Sequence, residues 1–262
     1  MAVRGLMLKV TVEKLSEEPY ASILCYPRPC KAEIRKRLVE LRRLGVTAVE
    51  FCGEKEAFGI HVLGKGCVGI VTIAYVNGEQ VALKIRRVDA DRKGMQREAE
   101  MLRKANSVGV GPKLLGVSAN FLVMQFVDGE LLPEWLRTRR SKADVRTVLR
   151  DVLEQCWRLD VAGLDHGELS HAPKHVIVGK NDVPFIVDFE TASVNRRPSN
   201  VTSVYQFLFL SGEVAGRVAK KLGLEDEKAV VDALKCYKSD RTRENFEWVL
   251  EVCGLLHNII RF

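Results

Sequence analysis

The chain has 262 residues, of which 47% are hydrophobic and 29% are charged, a composition that excludes low-complexity disordered and collagen-like proteins. Lysine and arginine outnumber aspartate and glutamate by 41 to 34, which gives a formal net charge of +7. The 7 cysteines form no CxxC pair and indicate neither a zinc site nor a disulfide framework. The positive charge suits a polyanionic partner such as RNA but does not by itself identify one.

The apolar stretches of the sequence are short. The longest ones, such as Phe121–Met124, fall far below the roughly 20 residues that a membrane span needs. Acidic residues from Glu13 onward interrupt any N-terminal signal pattern. We therefore expect a cytoplasmic protein with no membrane partner. No feature indicates an obligate protein partner, so we also expect a monomer.

Residues 1–57 are expected to form an α/β extension. Alternation over Met7–Glu13 predicts a strand, and apolar periodicity from Lys31 to Leu44 predicts a helix that ends at Gly45. The polar face of this helix carries mostly one sign of charge, which indicates either a nucleic-acid contact or a solvated face. Its candidate RNA-binding residues are Arg35, Lys36, Arg42 and Arg43.

Residues 58–127 are expected to form a small antiparallel β lobe. Short β-rich runs occupy Ile60–Leu63, Gly69–Tyr75, Gln80–Arg86 and Phe121–Val127. Asn77-Gly78 predicts a type I′ hairpin turn between the second and third of these runs. Apolar spacing predicts a helix from about Asp91 to Asn106.

A glycine-rich motif lies between the first two of these runs. Gly64, Gly66 and Gly69 form GxGxxG around Lys65, with Val71 two places beyond. A dinucleotide-binding fingerprint would follow a strand and open a helix, whereas this motif joins two strands, as a kinase glycine loop does. The loop is expected to lie over ATP phosphates. The alternative is that the glycines only shape a turn.

A candidate phosphate-binding lysine follows in Val81–Lys84. This sequence, VALK, matches the kinase V-A-I-K element and places Lys84 beneath the glycine loop, with Ala82 lining the nucleotide site. The lysine needs a carboxylate partner. Glu98 is preferred because it lies on the apolar face of the predicted helix, and Glu100 is the alternative.

A candidate hinge follows the last β-rich run. The segment LVMQFVDG resembles the connection between the two lobes of a kinase. Backbone groups of Gln125, Phe126 and Val127 are expected to meet the adenine edge of ATP.

Candidate catalytic groups lie in Leu164–Ser170. The segment HGELS resembles the H-G-D-L-S form of the kinase catalytic loop, with Glu168 in the place of the aspartate that orients the acceptor hydroxyl. Asp165 is the alternative acid. Further on, Asp188 in VDFE occupies the D-F-G position and is the candidate Mg²⁺ ligand, with Glu190 replacing the glycine.

The second metal ligand is irregular. Pro173 stands where a kinase has asparagine, and a loop two residues longer would put His175 in that position. Because histidine is a poor Mg²⁺ ligand, contact with substrate or phosphate is the alternative role for His175. Lys174 is available to neutralise the transferring phosphoryl group. The spacing of His166, His171 and His175 fits no common zinc pattern.

Residues 128–262 are expected to form a mainly helical lobe. Asp144–Asp160 is a clear amphipathic helix, and the loop-rich stretch Gly163–Ser193 contains two short strands. Basic clusters in this lobe are further candidate RNA contacts: Arg139, Arg140, Arg196 and Arg197.

These motifs together resemble one family. The order GKGCVGIV, VALK, REAEML, VMQFVDG, HGELS, VDFE is similar to protein-kinase-like folds, and DHGELSHAPKH and CYPRPCKAEIRKRLVELRRLGV resemble the archaeal RNA kinase family, long labelled predicted serine/threonine protein kinases. The resemblance implies a two-lobed α+β fold that uses ATP and Mg²⁺ to phosphorylate a ribose 2′-hydroxyl of a uridine in the tRNA variable region. A serine/threonine protein kinase, or an inactive kinase fold that binds RNA or nucleotide, are the alternatives. A low content of Asn and Gln favours a thermophilic source.

Overall fold

The computed structural model describes residues 8–91, 93–138, 141–210, 212–223 and 227–256. The chain forms two compact units. The first unit comprises Met1–Arg103 and Pro112–Phe126, and the second comprises Lys104–Gly111 and Val127–Phe262. The final boundary between the two units, after Phe126, therefore lies within the predicted hinge.

The first unit is built on a seven-stranded antiparallel sheet. The strands of this unit, seven in that sheet and two in a separate hairpin, are β1 (Leu8–Thr11), β2 (Val46–Phe51), β3 (Lys55–Ala57), β4 (Ile60–Val62), β5 (Gly64–Lys65), β6 (Gly69–Val76), β7 (Glu79–Arg86), β8 (Leu114–Val117) and β9 (Phe121–Gln125). Its helices are α1 (Tyr20–Leu24), α2 (Lys31–Arg43) and α3 (Gly94–Ser107), the last of which passes into the second unit at Lys104. The sheet order is β1-β2-β6-β7-β9-β8, β5 pairs with β6, and β3 and β4 form a separate hairpin.

The sheet incorporates the expected N-terminal extension. β1 pairs with β2, and β2 pairs with β6 in a register that runs from Val46 opposite Val76 to Glu50 opposite Ile73. No strand was predicted over Val46–Phe51, yet this strand joins β1 to β6. The expected boundary at residue 57 therefore falls inside one compact unit.

A buried arginine fixes α2 to the sheet. Arg37 is fully buried, and its Nη1 donates to the carbonyl oxygens of Leu24 at 2.7 Å and Arg86 at 2.6 Å. Its Nη2 donates to Asn120 Oδ1 at 3.0 Å, and Arg86 Nη2 donates to the same oxygen at 2.7 Å. Because a buried guanidinium must keep its donors bonded, Arg37 belongs to the interior and not to the basic surface of α2.

The predicted hairpin turn is confirmed. Asn77 and Gly78 have φ values of 51° and 83°, the left-handed pair that a type I′ turn requires, and Val76 lies opposite Glu79. The turn sets the register of β6 against β7, which places Val71 opposite Lys84.

The second unit is mainly helical, with one small sheet. Its elements are β10 (Gly129–Leu131), α4 (Leu132–Arg137), α5 (Lys142–Val161), β11 (Val176–Gly179), β12 (Pro184–Ile186), α6 (Asn200–Tyr205), α7 (Gly212–Leu222), α8 (Glu227–Ser239) and α9 (Arg243–Val252). The strands form an antiparallel sheet in the order β10-β11-β12. The expected α+β fold class, with an antiparallel sheet followed by a helical part, is confirmed.

Helix α5 begins two residues before the predicted start because Ser141 caps it. Ser141 Oγ accepts a hydrogen bond from Asp144 N at 3.0 Å, and the Asp144 carboxylate accepts one from Ser141 N at 3.0 Å. This reciprocal capping box satisfies backbone donors of the first turn. Among the described residues, no helix combines the length and apolarity needed to cross a bilayer.

Candidate active site

The glycine motif forms a tight loop between β5 and β6. Gly66 N donates to Gly69 O at 2.9 Å, and Gly64 lies opposite Val71. A Cβ at Gly69 would lie 2.8 Å from Ile85 O and 3.3 Å from Lys84 Cγ, so strand packing requires glycine there.

Gly64 and Gly66 differ from Gly69. A Cβ at these positions would meet no atom closer than 3.5 Å and 3.8 Å, respectively, and neither has a left-handed φ. The fold therefore does not require glycine at either position. The absence of side chains there suits the close approach of a ligand to the loop backbone.

Below this loop, Lys84 and Glu98 form a buried ion pair. Lys84 is 5% exposed on β7 and Glu98 is 2% exposed on α3. Lys84 Nζ lies 2.9 Å from Glu98 Oε1 and 2.8 Å from Oε2. Glu100 is exposed, so the preference for Glu98 as the partner is confirmed. Because a buried ion pair adds little net stability, its presence here points to function.

The sheet face that carries Lys84 also carries half-buried apolar side chains. Val71 lies directly opposite Lys84, and Ala82 precedes it by two residues on the same face of β7. Both are partly exposed, whereas Leu83 on the opposite face is fully buried. The first unit therefore presents an apolar surface beside its buried lysine, as the purine ring of a nucleotide requires.

The predicted hinge residues follow this surface at the end of β9. Gln125 N donates to Lys113 O at 2.8 Å, which fixes the end of the strand. Phe126 and Val127 are partly buried and have no regular secondary structure. Their contact with adenine stays a prediction.

In the second unit, Asp188 follows β12 in a left-handed conformation. Its φ is 69°, which is uncommon for a residue other than glycine and is often retained at functional sites. Just before it, Val187 O lies 3.1 Å from His166 Nε2, and the His166 ring packs edge-on against Phe189 at 5.1 Å. Burial lowers the pKa of His166 to about 4, and the Val187 carbonyl opposes that effect.

The structure pairs Glu168 with His175. His175 Nε2 lies 2.9 Å from Glu168 Oε2, and His175 is 1% exposed while Glu168 is partly exposed. The longer loop predicted from the sequence therefore brings the histidine back to the candidate catalytic acid. His175 is placed to hold one oxygen of the Glu168 carboxylate, while the Glu168 side chain stays 41% exposed.

Asp165, the alternative acid, has local protein partners. Its Oδ2 accepts a hydrogen bond from Arg196 Nε at 2.9 Å, and its Oδ1 accepts one from Ser199 N at 3.2 Å. Its backbone pairs with Ser193. Asp165 is buried and fixes the segment after Asp188, so Glu168 is the more exposed of the two candidate acids.

A buried Asp160–Asn200 pair, which was not predicted from the sequence, supports this loop. Asp160 Oδ1 accepts hydrogen bonds from Asn200 N and Nδ2, each at 2.8 Å, and Tyr237 donates to Oδ2 at 2.8 Å. Asn200 Oδ1 in turn accepts from His166 N at 2.8 Å. Burial raises the pKa of Asp160, and these hydrogen bonds oppose it. The sequence signal for Asp160 was that an acidic residue directly follows Leu159, at the end of the apolar pattern of α5.

The candidate Mg²⁺ ligands differ in their fit. Asp188 offers carboxylate oxygen, the donor that Mg²⁺ prefers. His175 does not fit, because it offers nitrogen and its Nε2 is directed to Glu168. Lys174 is exposed next to it. In the described part of the chain, the three histidines of this region form no convergent metal-ligand group.

The candidate RNA-binding residues fall into two groups. On α2, Arg35, Lys36, Arg42 and Arg43 are exposed, and Arg42 has a distant acidic partner in Glu13 at 4.0 Å. In the second unit, the candidates have protein partners: Arg196 donates to Thr191 O at 2.6 Å as well as to Asp165, and Arg197 donates to Lys238 O at 2.7 Å. Arg139 and Arg140 lie outside the described residues.

Comparison with known proteins gives a family. A family model described as RIO domain matches residues 72–203, half of the chain. The match includes Lys84, Glu98, Glu168 and Asp188, and it leaves α2 and the glycine loop outside. An uncharacterized protein from Methanocaldococcus jannaschii is 28% identical over 117 residues, which is 44% of this chain and 98% of that protein.

Proposed function

Because the chain belongs to the RIO domain family, an atypical protein-kinase-like family, we propose that it is an ATP-dependent kinase that phosphorylates a ribose 2′-hydroxyl of tRNA. The family supports phosphotransfer from ATP in general. The RNA acceptor goes beyond the family and is supported by the basic face of α2 and by the resemblance to archaeal RNA kinases. The observation that carries the proposal is the buried Lys84–Glu98 pair beneath a glycine loop.

In this proposal, the first unit binds the nucleotide. Backbone N–H groups of the loop at Gly64 and Gly66 contact the phosphates, where a side chain would obstruct them. Lys84 neutralises phosphate oxygens, and Glu98 keeps its ammonium group in place. Val71 and Ala82 contact the purine ring.

The second unit orients the acceptor. The free oxygen of Glu168 accepts the hydrogen of the ribose hydroxyl and directs the oxygen at the γ-phosphorus, while His175 fixes the carboxylate. Lys174 is exposed and is assigned to the transferring phosphoryl group. Asp188 would hold Mg²⁺, which when bound neutralises charge on the β- and γ-phosphates.

The basic surface of α2 is assigned to the tRNA backbone. Arg35, Lys36 and Arg43 are exposed and, within the described part of the chain, have no hydrogen-bond or ion-pair partner. Arginine and lysine side chains that extend from one helix face can contact successive phosphates. Arg37 lies on the same helix but is fully buried, so it does not belong to this surface.

A serine/threonine protein kinase is the second candidate, because the matched family is protein-kinase-like. The two functions share the ATP site and differ only in the acceptor. Incubation with γ-labelled ATP, bulk archaeal tRNA and a generic protein substrate distinguishes them. We expect label in tRNA and none in the protein substrate.

The control for this experiment is Lys84→Ala, which removes the phosphate contact on β7 and should abolish label transfer to any acceptor. Circular dichroism checks that the variant is folded. Label in the protein substrate and never in tRNA would establish the protein kinase instead. ATP binding without transfer to either acceptor would establish an inactive fold that only binds nucleotide.

A further inference from the structure

The turn between β3 and β4 carries an unusual residue. Phe58 and Gly59 form a two-residue turn with φ values of 51° and 74°, and Ala57 lies opposite Ile60. This left-handed conformation favours glycine, asparagine and aspartate, and a bulky residue there is an outlier.

The chain itself provides the comparison. The turn between β6 and β7 has the same first φ of 51° and uses Asn77 there. Phe58 occupies the matching position of the β3–β4 turn, where an aromatic residue has a conformational cost. This cost indicates a role for the ring itself.

The Phe58 ring is available to a partner. Phe58 is 51% exposed. It packs against Tyr26, with ring centroids 5.3 Å apart and an angle of 58° between the ring planes. Val88 N donates to Tyr26 O at 2.8 Å, which joins the Tyr26 backbone to the segment that follows β7. The two rings together form a partly exposed aromatic surface.

Two cations lie near the Tyr26 ring of this surface. Lys65 Nζ is 5.2 Å from the Tyr26 ring centroid, and Arg87 Cζ is 5.1 Å from it. Lys65 Nζ also donates to Glu56 O at 3.1 Å. Asp89 pairs with Arg87 at 2.8 Å, so Lys65 is the cation of the two without a carboxylate partner within the described residues.

The aromatic surface is joined to the glycine loop. Lys65 belongs to that loop, and Arg87 N donates to Val68 O at 2.8 Å. A group bound on Phe58 and Tyr26 is therefore close to the loop that we assign to the phosphates of ATP.

We propose that Phe58 and Tyr26 form a stacking platform for an unpaired base of the RNA substrate, with Lys65 beside it for the adjoining phosphate. The proposal rests on the proposed function, in which RNA is the acceptor. Aromatic rings interleaved with cations are the usual means of binding single-stranded nucleic acid, because every base has a π-face. The platform selects a single-stranded region, which a helix of phosphate-binding cations cannot do.

The test compares substitutions at Phe58 that keep or remove an aromatic ring. Binding of a fluorescein-labelled oligouridylate is measured by anisotropy, without ATP. Phe58→Trp keeps stacking and should retain affinity, whereas Phe58→Leu and Phe58→Asn should weaken binding about tenfold. Leu115→Ala, at an exposed apolar residue elsewhere in the first unit, is the matched control and should bind like the parent protein.

Two further measurements separate stacking from charge and from misfolding. Heparin, a polyanion without bases, should bind equally to all the Phe58 variants. Phe58→Asn should melt at the same temperature as the parent or higher, because asparagine suits the turn.

Retention of oligouridylate affinity in Phe58→Leu, or an equal loss in Phe58→Trp and Phe58→Leu, would overturn the platform. This result is distinguishable from failure of the kinase proposal, because the binding assay involves no phosphate transfer. If tRNA accepts no label but the Trp and Leu variants differ as expected, base stacking on Phe58 is supported and the proposed kinase activity on RNA fails.

Discussion

At the scale of single residues, the three glycines of the loop have different reasons to be glycine. Only Gly69 is required by the packing of β6 on β7, since a Cβ there would lie 2.8 Å from Ile85 O. Gly64 and Gly66 have room for a methyl group in the protein alone.

Alanine substitutions should therefore separate stability from nucleotide binding. Gly64→Ala and Gly66→Ala should change the free energy of unfolding by less than about 0.5 kcal/mol yet lower kcat/KM for ATP roughly tenfold or more. Gly69→Ala should destabilise the protein by about 1–3 kcal/mol. Urea unfolding and ATP kinetics check this contrast, and full ATP affinity in both of the first two variants would refute phosphate binding by the loop.

The two candidate acids should respond differently to loss of charge. Glu168→Gln should lower kcat by about 10²–10⁴, because the proposed function assigns Glu168 to the acceptor hydroxyl. The melting temperature should change little, because Glu168 is partly exposed. Asp165→Asn should lower the melting temperature, because it weakens the bonds to Arg196 and Ser199. Kinetics and thermal melts of both variants are the measurement. A reversed pattern would make Asp165 the acid that orients the hydroxyl.

His166 gives a pH dependence of stability. Its pKa is about 4 in the folded protein and near 6.5 when unfolded, so the unfolded chain binds the proton first as the pH falls. The contribution is fully present above pH 6.5 and decreases as the pH falls toward 4. Between pH 7.5 and 5, the free energy of unfolding should drop by about 2 kcal/mol from this group. Urea unfolding of His166→Gln should lack that part of the slope, and an identical slope in both proteins would contradict the assignment.

Contacts between site residues could be predicted from the sequence where both partners belong to recognisable local patterns. The motif VALK and the apolar spacing of α3 were enough to pair Lys84 with Glu98. The pairing of Glu168 with His175 followed in part, because only the longer loop was predicted and not the contact it makes. The Asp160–Asn200 contact joins residues 40 positions apart, and no local pattern identifies such a partner.

At the scale of elements, α2 has one buried face and one exposed basic face. Arg37 is buried and bonded to protein acceptors, whereas the five other basic residues of the helix are exposed. The sequence predicted the helix and its charge but not the burial of Arg37, because an arginine inside a basic run has no local signal that separates it from its neighbours. The strand β2 was missed for a related reason: its residues are nearly all buried, so no alternation is visible.

Charge reversal on α2 should weaken tRNA binding without affecting ATP. In the variant Arg35→Glu, Lys36→Glu, Arg42→Glu and Arg43→Glu, the affinity for tRNA should fall and the salt dependence of binding should become shallower, since each lost phosphate contact removes about 0.7–0.9 from the slope. Binding at several salt concentrations is the measurement.

The control for this variant reverses Lys220 and Lys228, exposed lysines of the second unit, and should leave tRNA affinity near that of the parent. If the α2 variant binds tRNA with an unchanged slope, the helix face is only solvated and the RNA contacts lie elsewhere.

At the scale of the whole molecule, the groups assigned to ATP and to the acceptor are divided between the two compact units. The first holds the glycine loop and Lys84, and the second holds Glu168 and Asp188. The composition shows a surplus of positive charge but not where it lies. Among the residues that the structure describes, this surplus is concentrated on the exposed face of α2.

The position of the label in phosphorylated tRNA distinguishes a ribose 2′-hydroxyl from every other acceptor. Alkali cleaves RNA through attack of the 2′-hydroxyl on the neighbouring phosphodiester, so a nucleotide with a 2′-phosphate resists cleavage. After transfer from γ-labelled ATP, we expect alkaline hydrolysis to release the label in a dinucleotide, with none formed by Lys84→Ala. Label recovered in mononucleotides or inorganic phosphate would contradict a 2′-hydroxyl kinase.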